Sequence, residues 1–184
     1  MQDDILDGGF DGQNEIRNVE YASFWSRVGA SLIDLLLFIP VIVVSVYNII
    51  SIQSFAFSVI LSMVYIVYKP VMEWKYGATL GKMAVKIKVV NSDLEPITLE
   101  QSIMRFSLYL VNQMISIVSS YFLFSNLYGD IGLLEIGEVQ QGDPLSAVSQ
   151  LMSLVILVSV LFVAFDKERQ ALHDKIARTY CINT

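Results

Sequence analysis

The sequence predicts an all-α integral membrane protein with four transmembrane helices and both termini in the cytoplasm. Of its 184 residues, 54% are hydrophobic and only 16% are charged, whereas soluble domains are about 25% charged. Four apolar segments reach the roughly 20 residues needed to cross the hydrocarbon core of a bilayer. The length suits one helical bundle rather than two domains.

The distribution of basic residues predicts the orientation of these segments. The spans are expected at residues 24–49, 53–72, 105–124 and 145–165. All 12 lysines and arginines lie before or at the start of span one, between the last turn of span two and the first residue of span three, or after span four. Short cytoplasmic connections are rich in Lys and Arg. We therefore expect both termini and the middle connection in the cytoplasm, as in a multi-pass protein of the inner membrane.

The N-terminal 20 residues differ in composition from the remainder. They hold six acids and one base, and they lack the basic start and apolar core of a signal peptide. Such a segment buries too little apolar surface to fold alone. Residues 1–20 are predicted to be a disordered acidic cytoplasmic tail, and residues 21–184 to be the transmembrane domain.

The connection between spans two and three shows a pattern of its own. Residues 85–90, "VKIKVV", alternate apolar side chains with lysines, which is typical of a strand, and "NSDLEP" follows as a turn. A short cytoplasmic hairpin or a strand at the membrane surface is expected. Thr98 and Gln101 have capping-box spacing. The third helix should therefore begin before the membrane and bring Arg105 to its cytoplasmic edge.

Span one carries two charges, Arg27 and Asp34, although a charge at the bilayer centre costs roughly 2.5–3.5 kcal/mol. Arg27 can extend its long side chain toward the cytoplasmic interface. Asp34 lies seven residues further on, roughly 10 Å deeper, so it needs another partner. It is either a structural clamp bonded to a neighbouring helix or a site for a proton or cation.

Small polar residues recur on one face of the other spans. Span two has Ser54, Ser58, Ser62 and Tyr65, and span three has Asn112, Ser116 and Ser119. Stripes of this kind allow helices to pack closely and to hydrogen-bond across their interface. A polar path through the bundle would need the same residues, so the pattern leaves both interpretations open.

Two motifs flank the spans. "YGATLGK", residues 76–82, lacks the spacing of a phosphate-binding loop, which favours a glycine-rich turn leaving the membrane. In "LHDKIART", residues 172–179, His173 is expected to be either a pH sensor or a surface or capping residue. Asp174 should lie level with Arg27 and Arg105 and could pair with either. No catalytic set, metal-ligand set, cofactor motif or nucleic-acid-binding basic stripe is visible, so we expect no enzyme.

Together these residues resemble the RDD family, which is named for one arginine and two aspartates. The resemblance covers about residues 21–182 and rests on four motifs in order. The matching residues are Arg27 and Asp34 in "RVGASLID", Gly77, Thr79, Gly81 and Lys82 in "GATLGKMAVKIKVVN", Arg105 in "SIMRF", and Asp174 in "LHDKIART". The resemblance implies transport of an unidentified ligand, and cation/proton antiport has been proposed for some members.

We therefore predict a small inner-membrane transporter that exchanges a monovalent cation for protons. Asp34 would bind the proton or cation, and Arg27 with Asp174 would form a gate or a charge pair that tunes it. A bundle of this size is too small to enclose a wide path alone, so a homo-oligomer in the lipid bilayer is expected. The alternative is a membrane scaffold or assembly factor that transports nothing and binds partner proteins.

Overall fold

The computed structural model describes residues 20–126, 137–138 and 143–184. Apart from Glu20, the predicted acidic tail lies outside the described residues. The elements that the following sections use are α1 (Phe24–Tyr47), α2 (Phe55–Tyr76), α3 (Leu80–Ala84), β1 (Ile87–Asn91), α4 (Leu99–Asn126), α5 (Ser146–Leu161), α6 (Leu172–Ile176) and β2 (Thr179–Asn183).

Four helices are long and apolar enough to cross a membrane, which confirms the predicted spans. They cover Phe24–Ile52, Phe55–Tyr76, Leu99–Asn126 and Ser146–Ala164. The first includes a π-helical turn after α1, and the last includes a 3₁₀ turn after α5. The third span begins six residues earlier than its predicted apolar core, as expected for a helix that starts before the membrane.

Side chains at the helix ends explain where the spans begin. The amide of Thr98 donates to Gln101 Oε1 at 3.0 Å, and the amide of Gln101 donates to Thr98 Oγ1 at 3.2 Å. This is the reciprocal capping box that the spacing predicts. Between α1 and α2, the buried Asn48 side chain bonds both backbone groups of Ser54. That arrangement closes a tight connection in which no backbone group of Ser54 is left unpaired.

A small mixed unit lies at one end of the bundle, and we call it the cap. It comprises residues 20–23, 77–98 and 166–184. Its two strands pair antiparallel, with Ile87 opposite Asn183 and Asn91 opposite Thr179. The core of the cap is apolar and almost fully buried, and it comprises Ala22, Ile87, Val89, Ile97 and Cys181.

The strand at residues 87–91 was predicted, but its main partner was not. The expected local hairpin is limited to one bridge between Val90 and Pro96. Proline has no N–H to continue a ladder on that edge of β1, and the C-terminal strand pairs with the other edge. Tyr21 also bridges Ile182. Both ends of the described chain therefore lie with the middle connection at the same end of the bundle. That this end faces the cytoplasm stays a prediction.

The spans do not pack evenly. α2 packs along α4, and α4 packs against α5, whereas α1 makes few contacts with α2 and instead contacts α3 of the cap. Leu35 and Val46 on α1 are 52% and 40% exposed. The result is a groove between α1 and the α2–α4 pair, and α3 packs against α1 near its cap end.

Candidate functional site

The buried carboxylate of Asp174 joins α1, α4 and the C-terminal part of the cap. Asp174 is fully buried. Its Oδ2 lies 2.5 Å from Nη1 of Arg27 on α1, and its Oδ1 lies 2.9 Å from Nη2 of Arg105 on α4. The amide of Ala171 also donates to Oδ2 at 3.1 Å. The structure thus brings Asp174 into contact with both Arg27 and Arg105, its two predicted partners, at the cap end of the bundle.

Arg105 extends this cluster to a second carboxylate, Glu73 on α2. Its Nε lies 3.0 Å from Glu73 Oε2, while Nζ of Lys82 lies 2.5 Å from Oε1. Arg105 also donates through Nη1 to Thr179 Oγ1 at 2.6 Å. We call the set Arg27, Glu73, Lys82, Arg105 and Asp174 the ionic network.

Glu73 was not predicted to be a site residue, because an acid three residues before the end of a spanning helix is usually an ordinary interfacial residue. Its later partner, Lys82, is nine residues away across a turn, and no periodic pattern connects the two positions. Only the reversal of the chain at Gly77, where φ is +71°, brings them together. Glycine tolerates this left-handed conformation at a helix end without a steric cost.

The charges of the network affect the pKa of Asp174. Burial alone would raise it, but the positive charges of Arg105 and Arg27 outweigh burial and hold the pKa of this carboxyl well below its ordinary 3.8. Buried ion pairs add little net stability compared with apolar side chains of the same volume, but removing one member is expensive. The network therefore fixes how the cap sits on the spans.

Asp34 lies in a separate cluster, which the glycine-rich motif supplies. Its Oδ1 accepts hydrogen bonds from the Gly81 amide at 2.7 Å and from Tyr68 Oη at 3.1 Å. Its Oδ2 accepts from Thr79 Oγ1 at 2.6 Å. The sequence predicted a partner on a neighbouring helix, and Tyr68 on α2 is such a partner. The glycine-rich motif was expected to be a turn leaving the membrane; instead, its end folds back as α3 against α1.

The close approach of α3 to α1 explains why position 81 is glycine. A Cβ atom at Gly81 would lie 2.0 Å from the carbonyl oxygen of Ala30 and 2.8 Å from Asp34 Cγ. Both distances are far below van der Waals contact, so any side chain would push α3 away from α1. Thr79 caps α3 by accepting from the Lys82 amide, and its hydroxyl proton remains available for Asp34.

The groove has a volume of about 640 Å³. On the first span its wall extends from Ser31 to Ile49, which is about 27 Å along the helix, most of the thickness of a hydrocarbon core. Several polar side chains line it, and some of them belong to the predicted stripes on spans two and three. The polar lining residues are Ser31, Asp34, Ser45, Ser62, Tyr65, Tyr68, Lys69, Tyr109, Asn112 and Gln113.

Lys69 is the cation on this wall. Its Nζ lies 4.2 Å from the centre of the Tyr109 ring, a favourable cation–π contact. No carboxylate of the described residues lies within ion-pair distance of it. Lysines near the end of a span usually extend toward water, whereas Lys69 points at α4 inside the bundle. In the sequence, Lys69 is one of the basic residues expected at the cytoplasmic connection, and nothing in the pattern marks it as a site residue.

The side chain of His173 is only 14% exposed, so it lies largely inside the protein rather than on its surface. Its Nε2 lies 3.3 Å from Asp174 Oδ1, and its Nδ1 lies 3.4 Å from Ser159 Oγ. Burial lowers the pKa of His173 from 6.5 to about 3, and the charges of Arg105 and Lys69 act in the same direction against Asp174. The side chain is therefore neutral at pH 7, and its pKa lies below the range that a pH sensor near neutrality needs.

The neutral histidine predicts how stability changes with acid. Between pH 6.5 and about 3 the unfolded chain binds a proton at this residue and the folded chain does not. The free energy of unfolding should therefore decrease by up to about 1.4 kcal/mol per pH unit as the pH falls from 6.5. Carboxyl groups such as Glu73 begin to bind protons in the unfolded chain below about pH 5.5, so His173 dominates the change in stability in the window from pH 6.5 to 5.5.

The measurement is the unfolding midpoint of the detergent-solubilised protein across that window. In His173→Gln, which does not titrate, the slope attributable to this residue should disappear. Equal slopes in wild type and His173→Gln would contradict the assignment of a neutral, buried imidazole.

Within the described part of the chain, no group of three or more His, Cys, Asp or Glu side chains could hold a metal ion. Comparison with known proteins gives one positive result. The family model described as the RDD family matches residues 21–178, which covers both clusters and all four spans. No curated protein and no solved structure matches the chain.

Proposed function

Since the chain belongs to the RDD family, we propose that it is a small multi-pass transporter of the inner membrane. The observation that carries the proposal is the groove, since it follows α1 for most of the membrane thickness and has Asp34 on its wall near the cap. Ionisable residues inside membrane spans are costly and usually mark a pathway for ions or substrates. The proposed activity is exchange of a monovalent cation for protons.

Asp34 is proposed to couple ion binding to movement of α3. Three donors, from Tyr68, Thr79 and Gly81, hold its carboxylate, and the last two belong to α3 and its N-cap. Hydrogen bonds to an ionised acceptor are about twice as strong as bonds between neutral groups. A proton or cation on Asp34 would weaken the bonds to Thr79 and Gly81 and so loosen α3.

Arg27, Arg105 and Asp174 of the ionic network supply the fixed part of this arrangement. Arg27 and Asp174 anchor the C-terminal part of the cap to α1, and Arg105 anchors it to α4. α3 is held to α1 through Asp34 and through close packing at Gly81. It is also held to α2 by the Lys82–Glu73 ion pair, which has to open when α3 moves. We propose that α3 is the moving gate and that the Arg27–Asp174 pair keeps the rest of the cap in place while it moves.

The test is cation-triggered proton flux in proteoliposomes that contain a pH-sensitive dye. Addition of Na⁺, K⁺ or Li⁺ outside should change the internal pH with wild-type protein. Asp34→Asn should reduce the initial rate at least tenfold, because it removes the charge for which the proton and cation compete. Matched reconstitution and an unchanged elution volume on size exclusion would show that the variant is folded.

Glu100→Gln is the matched control, since it removes one carboxylate from the exposed first turn of α4 at the same end of the bundle. It should retain the wild-type rate. Absence of flux from folded wild-type protein with all three cations would contradict antiport and favour the scaffold alternative. A homo-oligomer remains part of the proposal, and the mass of the protein–detergent complex tests it.

A further inference from the structure

The groove is much larger than a single monovalent metal ion requires. Its volume of about 640 Å³ is in the range of sites that bind small organic molecules, roughly 300–1,000 Å³. Most of the exposed area of its wall is apolar and polar side chains interrupt it, which is also typical of such sites. The substrate can therefore be organic, and the charges on the wall indicate its chemistry.

The acceptors on the wall suit an ammonium group better than a bare metal cation. A carboxylate has about four acceptor positions, and three donors already occupy Asp34. One position is left, too few for a cation that replaces its hydration shell with several oxygens. An ammonium hydrogen needs only one acceptor. Asn112 Oδ1, which is buried and has no hydrogen-bond partner among the described residues, offers another on the same wall.

Lys69 adds a requirement for a negative group. Its ammonium contacts the Tyr109 ring. Glu73, one turn further along α2, acts on it electrostatically, but this carboxylate is already paired with Lys82 and Arg105 and lies beyond ion-pair distance of Lys69. A substrate that is only a cation would meet repulsion here, in surroundings where charges are weakly screened. A carboxylate on the substrate would instead supply Lys69 with the missing ion-pair partner.

We propose that the groove binds a small organic zwitterion, whose carboxylate pairs with Lys69 and whose ammonium bonds Asp34 and Asn112. This inference rests on the proposed function and narrows it. The ammonium end of the substrate is then the preferred competitor of the proton for Asp34, and an alkali-metal ion competes with it more weakly. The apolar wall accommodates the uncharged part of the same molecule.

The first test measures binding to purified wild-type protein by equilibrium dialysis with three matched pools of probes. The pools are the neutral α-amino acids, their methyl esters, which keep only the ammonium, and their N-acetyl derivatives, which keep only the carboxylate. The amino-acid pool should bind at least tenfold more tightly than either derivative pool. No binding of that pool, or equal binding of all three, would overturn the inference.

Variants at Lys69 provide a readout that misfolding would not imitate. Lys69→Met should weaken binding of the amino acids about tenfold or more and strengthen binding of the methyl esters, because the repulsive charge is gone. Lys69→Arg should retain the wild-type preference. Lys75→Met, which removes an exposed lysine six residues further along α2, should change nothing. An unchanged preference in Lys69→Met would overturn the inference.

The two proposals can fail separately. If amino acids bind but exchange no protons in proteoliposomes, the binding site stands and the transport proposal falls. If Na⁺, K⁺ or Li⁺ drives proton flux through Asp34 and no amino acid binds, the transport proposal stands and the zwitterion site falls.

Discussion

Asp174→Asn should destabilise the protein by about 3–5 kcal/mol, the range measured when one partner of a buried ion pair is removed. The substitution keeps the size of the side chain but leaves Arg27 without a carboxylate and Arg105 with Glu73 alone. The unfolding midpoint in an SDS titration, followed by tryptophan fluorescence, measures the loss. The cap is expected to detach before the spans separate, since Asp174 holds α6 and β2 to α1 and α4.

The control for this prediction is Asp166→Asn. Asp166 also pairs with a basic residue of the cap, Lys175, but that lysine is 46% exposed, so its pair should contribute less than about 1 kcal/mol. If Asp174→Asn were no more destabilising than Asp166→Asn, the network would not be what holds the cap to the spans.

Gly81→Ala should destabilise the protein by a similar amount, about 3 kcal/mol or more. The added methyl group would lie 2.0 Å from the carbonyl oxygen of Ala30, and a backbone atom of a long helix cannot move aside easily. α3 must shift outward, which stretches the hydrogen bonds from Gly81 and Thr79 to Asp34. The midpoint of SDS unfolding and the rate of proton flux should therefore fall together.

Gly29→Ala is the matched control, because it adds the same methyl group to α1, one residue from Ala30. The nearest atom to a Cβ at position 29 is Val85 Cγ1 at 4.0 Å, an ordinary contact. Alanine within a helix is favoured over glycine by about 0.5–1 kcal/mol, so this variant should be as stable as wild type or more stable. Equal tolerance of both substitutions would contradict the close packing of α3 on α1.

The spans were predictable because a bilayer imposes length and apolarity on each of them independently. The start of α4 was predictable as well, since Thr98 and Gln101 form a local capping motif. The pairing of β1 with the C-terminal strand was not, because it joins residues about 90 positions apart and the intervening sequence carries no signal for it. A local hairpin was the simplest interpretation of residues 85–96, but in the structure it is limited to one bridge, between Val90 and Pro96.

The candidate site was predictable where charge in an apolar context singles out a residue. Arg27 and Asp34 stand out for that reason, and Asp174 was expected to pair with Arg27 or Arg105; the structure has it in contact with both. Glu73 and Lys69 carry the same charges but lie near the end of span two, where acids and lysines are common. Their importance arises from the direction of their side chains into the bundle, which only packing determines.

Proton flux through Asp34→Asn, measured beside wild type at equal protein density in the same liposome preparation, tests the central claim most directly. A wild-type response to external cation that falls at least tenfold in the folded variant, with Glu100→Gln unchanged, is the result that we predict. Equal flux in wild type and Asp34→Asn would show that Asp34 only clamps α3 to α1, and would contradict its role in carrying the proton or the cation.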